Sequence, residues 1–72
     1  MENKYNFHLE YFVNNRQVFN CFCPDWYGIT ENDMNHICIG AIVGMLFKYK
    51  HPVIYCYKVK ENGEKVLFRT QR

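Results

Sequence analysis

From Ile37 to Phe47 the chain runs for eleven residues without a charged or strongly polar side chain. The run is too short to cross a bilayer, which takes ~20 apolar residues. It also lacks the Lys/Arg-rich face with which interfacial helices lie on a membrane. Its boundaries are those of a helix. Thr30 is a good N-cap with Asp33 three residues on, and Glu31 and Asp33 suit the positive helix end. Lys48, Lys50 and His51 suit the other end, and Pro52 is expected to hold His51 extended and stop the helix. The expected helix is about Glu31 to Lys48. Such a helix is apolar around nearly its whole circumference, whereas a helix lying on a sheet needs only one apolar stripe. Two of its faces therefore need cover.

The flanking segments alternate with a period of two. Tyr5, Phe7, Leu9, Tyr11 and Val13 define the first strand, Gln17 to Cys23 the second, and Val53 to Lys60 the third. Asn14-Asn15 makes a two-residue turn, because Asn tolerates positive φ. This register sets Val13 opposite Arg16, Tyr11 opposite Val18, Phe7 opposite Phe22 and His8 opposite Cys21. Asn62-Gly63 reads as a type I′ hairpin turn. It sets Val59 opposite Val66, Tyr57 opposite Phe68 and Cys56 opposite Arg69. The expectation is one α+β domain, residues 1–72, of ββαββ order: a four-stranded antiparallel sheet with one helix packed on one face. At 72 residues such a domain is marginal unless disulfides, a metal or oligomerisation supplement it.

Composition agrees with a folded chain, since 49% of residues are hydrophobic and 18% aromatic. The net charge of +2 is unevenly spread. Seven Lys or Arg lie in residues 48–72 against Glu61 and Glu64, which makes the last third basic. The polar start lacks the features of an export signal, so a cytoplasmic location is expected. Cys21, Cys23, Cys38 and Cys56 are then expected to be thiols.

Candidate sites follow from the faces. If Tyr55, Tyr57, Val18, Phe22, Val66 and Phe68 join the first strand's apolar residues beneath the helix, the opposite face carries His8, Phe12, Phe19, Cys21, Cys23, Ile54, Cys56, Lys58, Leu67 and Arg69. Phe12, Phe19, Ile54 and Leu67 would form an apolar patch for a protein partner, with Lys58 and Arg69 at its rim. Rings beside cations are also what single-stranded nucleic acid uses, so binding through the basic C-terminal hairpin is the rival reading. No base-reading motif supports it, and it is not favoured. On the helix, Gly40 and Gly44 form a small-xxx-small notch beside Val43 and Phe47, as at a homodimer seam. The bland alternative is that the glycines let the helix sit closely on its own sheet.

Catalysis and metal binding are both disfavoured. His8, Cys21, Cys23 and Cys56 share a face in this register and resemble a Cys3His set, yet Cys-x-Cys on a strand is not the usual knuckle. Cys23 with His36 or His51 lacks an orienting third group and an oxyanion element. No cofactor is expected. Trp26 is expected to plug the open end of the core rather than to act as a binding hot spot. Short, motif-poor, aromatic-rich chains of ββαββ order recur among proteins of bacterial mobile elements that act by binding a larger protein, an analogy at the level of the fold that fixes no residue here. The expectation is a non-enzymatic interaction module, dimeric because one sheet cannot cover the whole apolar circumference of the helix, that binds a protein partner as regulator or inhibitor.

Overall fold

A computed structural model describes residues 5–72. Alternation between Asn6 and Val13 builds β1, and the Asn14-Asn15 turn returns the chain as β2, Arg16–Cys23. Both asparagines are left-handed, with φ of 53° and 63°, as a type I′ turn demands. A single 3-10 turn, Asp25–Tyr27, leads to α1, Glu31–Leu46. Strands β3, Pro52–Val59, and β4, Lys65–Gln71, complete one antiparallel sheet of order β2-β1-β3-β4. The expected ββαββ architecture is present.

The helix starts where the side chains say it should. The Asp33 backbone N–H donates to Thr30 Oγ1 and the Thr30 N–H donates to Asp33 Oδ2, both at 3.1 Å, a reciprocal capping box. The bond from Thr30 also holds the Asp33 carboxyl below the usual carboxylate range. The helix ends at Leu46, two residues earlier than expected. His51 adopts φ of 54° rather than the extended backbone expected before Pro52, and the chain reverses there into β3.

The core is one narrow seam. Met34, Cys38, Ile42 and Met45, spaced four, four and three apart, bury one stripe of α1. They meet Phe7 and Leu9 of β1, Cys23 of β2, and Ile54 and Cys56 of β3. The helix packs mainly against β3 and β4. No charged or polar residue is buried among those described.

Two of the expected strand faces are inverted. In β3, Ile54 and Cys56 are completely buried, while Val53, Tyr55, Tyr57 and Val59 turn to the open face. Alternation allowed either choice. Aliphatic and thiol side chains lose nothing under a helix, whereas each tyrosine hydroxyl would need a buried partner. In β2 the register follows the turn only through Phe12 opposite Gln17, after which Tyr11 faces Phe19 and Phe7 faces Cys23. Val18 is the extra residue of a β-bulge. The slip of one brings Phe19, Cys21 and Cys23 to the helix side and sends Phe22 outward.

The second hairpin departs similarly. Gly63, at φ of 88°, donates its N–H to the Lys60 carbonyl, and Lys60 N–H donates to Glu64 O. The loop is thus three residues with glycine at the left-handed position, not the two-residue turn expected. Val59 pairs with Lys65 and Tyr57 with Leu67. A bulge at Phe68 then restores the expected pairing of Cys56 with Arg69. Phe68 therefore also packs on the core, its ring 5.7 Å from that of Phe7.

Ile54→Ala is expected to cost about 2–5 kcal/mol of unfolding free energy, as for other buried aliphatic truncations. Tyr55→Ala, one residue along on the open face, should cost clearly less. Urea denaturation of both variants checks this, and the reverse ranking would restore the inverted face.

Candidate functional site

With one helix on one face, the other face of the sheet lies open. It is built from alternate residues: His8, Glu10 and Phe12 of β1, Phe22 of β2, Val53, Tyr55, Tyr57 and Val59 of β3, and Lys65 and Leu67 of β4. The aromatic rings engage edge to face across strands. Phe12 and Tyr55 have centroids 5.4 Å apart, and His8 and Phe22 6.4 Å. Phe22 and Leu67 are more than half exposed.

Lys65 and Glu10 neutralise each other on this face, and Arg72 adds a cation at its end beside Phe12, Val53 and Tyr55. Lys65 Nζ donates to Glu10 Oε2 at 3.1 Å and lies 5.2 Å from the Tyr57 ring centroid. Desolvation raises the Tyr57 hydroxyl pKa, with Glu10 adding to the shift. Beyond these charges the cross-strand surface interleaves its aromatic and aliphatic side chains with His8, Gln17, Asn20 and Thr70.

Several residues expected here are elsewhere. Phe12 and Leu67 are on the open face, but Ile54 is at the centre of the core. Phe19 lies on the helix side, exposed, with its ring 5.3 Å from Tyr11. Lys58 is also on the helix side, ion-paired with Glu31 and 4.4 Å from the Tyr5 ring centroid. Arg69 donates from Nη1 to Asn35 Oδ1 at 3.0 Å and from Nε and Nη2 to Gln71 Oε1. The four-residue patch is therefore not assembled. Tyr55, Tyr57 and Phe22 stand in its place. The amphipathic chemistry of tyrosine was the signal that could have found two of them.

The cysteines gather under the helix. Cys21 and Cys23 have Sγ atoms 4.0 Å apart, and Cys23, Cys38 and Cys56 are buried. His8 lies across the sheet from them, which dissolves the Cys3His arrangement. Among the described residues no group of three or more His, Cys, Asp or Glu side chains is placed to hold a metal ion. Burial, then neighbouring Cys21, pushes the Cys23 thiol up to about 11. The Cys56 thiol is raised too, first by its hydrogen bond with Cys38 and then by burial.

On α1, Gly40 and Gly44 do not approach the sheet, and a Cβ on either would meet nothing within 4 Å. The bland alternative for the glycines is thereby removed. Val43 is half exposed and Phe47 91% exposed. Trp26, expected to plug the core, is 77% exposed and packs edge-on against Tyr27 with centroids 4.5 Å apart. The Asp25 N–H donates to Asn6 Oδ1 at 2.6 Å, holding the loop outside β1 instead. None of the described helices is long and apolar enough to cross a membrane.

Compared with known proteins, the chain matches no family model, and no curated protein or solved structure is significantly similar to it.

The raised thiols set a pH dependence. A group whose folded pKa exceeds its unfolded value stabilises the fold below the unfolded pKa, and that contribution is lost as pH rises through the folded one. For Cys23 the window runs from 9.0 to about 11. Stability is expected to hold to about pH 8 and fall above pH 9. Denaturation midpoints at pH 7, 9 and 10.5 check this, and Cys23→Ala should flatten the alkaline decline.

Proposed function

We propose that the protein is a small non-enzymatic interaction module that binds a larger protein, as a regulator or inhibitor, through the open face of its sheet. One observation carries this reading. The central strands β1 and β3 and their neighbours present Phe12, Phe22, Tyr55, Tyr57 and Leu67 on one uncovered surface whose Lys65–Glu10 pair is already neutralised. Interface centres favour this mixture of aromatic area and few free charges. Tyrosine and phenylalanine supply contact area at little rotamer cost, and a rigid sheet holds them in place.

Nucleic acid binding is the rival, and the positions of the cations weigh against it. Stacking platforms need basic side chains that track phosphates beside the rings. Here Lys58 and Arg69 lie on the helix side with protein partners and Lys65 is paired with Glu10, which leaves Arg72 as the cation beside Phe12 and Tyr55. A bound strand would have to break those contacts first.

Two assays separate the readings. Selection from a displayed library of random 12-residue peptides should enrich aromatic or aliphatic sequences on wild-type protein. Tyr55→Lys with Leu67→Lys should abolish their binding while leaving the circular dichroism spectrum unchanged. Random single- and double-stranded oligonucleotides should not shift at about 150 mM salt, where the Debye length is ~8 Å. Sub-micromolar oligonucleotide binding that falls on Lys65→Ala would overturn the protein-partner reading, as would selected peptides indifferent to the double variant.

A further inference from the structure

A second surface, on the opposite side of the molecule, is equally uncovered. Once Met34, Cys38, Ile42 and Met45 point at the sheet, the outward arc of α1 holds Ile37, Ile39, Val43, Leu46 and Phe47, all between 40% and 91% exposed. No charged residue interrupts it between Asp33 and Lys48. In a chain with so little core, five large apolar side chains are left in water along two-thirds of α1 and at its C-cap.

We infer that this face packs against the same face of a second copy, with the two helices antiparallel about a two-fold axis near residues 41 and 42. Three observations select this occupant. The first is steric complementarity under the two-fold, which sums facing residue numbers to about 83. Val43 then stands over Gly40 of the second copy at the middle of the seam, Ile37 flanks its Gly44 on one side, and Ile39 flanks its Leu46 on the other, so that two of the large side chains meet a glycine. Both glycines are open to such an approach, because no atom of their own chain lies within 4 Å of the Cβ positions. Phe47 meets His36 of the second copy, ring to ring. Alternation of large and small across facing positions is what lets helix layers interdigitate.

Charge is the second. Each helix carries Glu31 and Asp33 at its start, and Lys48 and Lys50 follow its end. Antiparallel packing sets the acidic start of one helix beside the basic end of the other and opposes the two macrodipoles. A parallel pair would set like beside like. Area is the third. The exposed parts of these side chains amount to roughly 500 Å² per copy, or about 1,000 Å² in the pair, the lower bound for a specific interface. An interface of that size belongs to the weak end of specific association. The assignment is independent of the sheet-face reading, since it uses the other side of the fold.

Sedimentation velocity from 1 to 200 µM tests it. Wild type should pass from monomer to dimer across that range. Val43→Glu and Gly40→Leu should each raise Kd at least tenfold. Neither should disturb the monomer, because Val43 is half exposed and a side chain at Gly40 meets open space; circular dichroism and thermal melting at 2 µM check this. Orientation is read by mixing His36→Cys and Phe47→Cys proteins of different tag length under mild oxidation, with wild type as background for the native thiols. Antiparallel packing predicts the mixed cross-link above either self-cross-link. Wild type that stays monomeric at 200 µM, a dimer untouched by both substitutions, or dominant self-cross-links would each overturn the proposal.

Discussion

Everything else in this molecule depends on how one four-residue stripe meets two central strands. Met34, Cys38, Ile42 and Met45 give α1 a line of contact barely one side chain wide, and Phe7, Leu9, Ile54 and Cys56 receive it. Full dehydration of a large aliphatic or aromatic side chain stabilises a fold by about 1.5–3 kcal/mol. With so few such residues, the core can tolerate no polar intruder. Tyr55 and Tyr57 are turned out, thiols are taken in, and Lys58 and Arg69 are pushed to the rim. The narrowness of the seam also explains why so much apolar surface remains outside it.

The same seam organises the electrostatics. Lys58 and Arg69 belong by register to the helix side of the sheet, where full burial would be prohibitive. Both lie along the margin of the helix layer instead. Lys58 pairs with Glu31 in the first turn of α1 and rests over the Tyr5 and Phe68 rings, while Arg69 ties β4 to Asn35. These cations are clasps between helix and sheet. Their absence from the opposite face leaves its charge to the Lys65–Glu10 pair and Arg72. One packing decision thus determines both what holds the helix down and what the far surface can recognise.

Local chemistry was legible and face choice was not. Asn14-Asn15 and Thr30 with Asp33 state their structures directly, because a left-handed turn and a capping box are short-range events. The element order followed from them. Which side of each strand meets the helix is a long-range property, and a one-residue slip reverses it. Val18 and Phe68 each make such a slip, and a three-residue loop at Glu61 to Gly63 makes another. No periodicity marks them. Cys56 opposite Arg69 was anticipated only because the second bulge compensates for the longer loop. The binding residues inherited these errors: Ile54 was misplaced by the β3 inversion and Phe19 by the β2 bulge. The helix residues Gly40, Gly44, Val43 and Phe47 needed no register, and the fold leaves them at the surface as a group.

The positions of the two bulges have a further consequence. Both interrupt outer strands, Val18 in β2 and Phe68 in β4, while β1 and β3 pair with each other residue for residue from Asn6 to Val13. An edge such as Gln17 to Cys23, with no charge along it, offers a neighbouring polypeptide a row of unpaired amides to extend. A bulge bends and coils that row, so a straight incoming strand can match only part of it. The two bulges thereby shorten the stretch of each outer edge that a neighbouring strand could extend, one device by which a chain rich in β-prone sequence limits growth of its sheet.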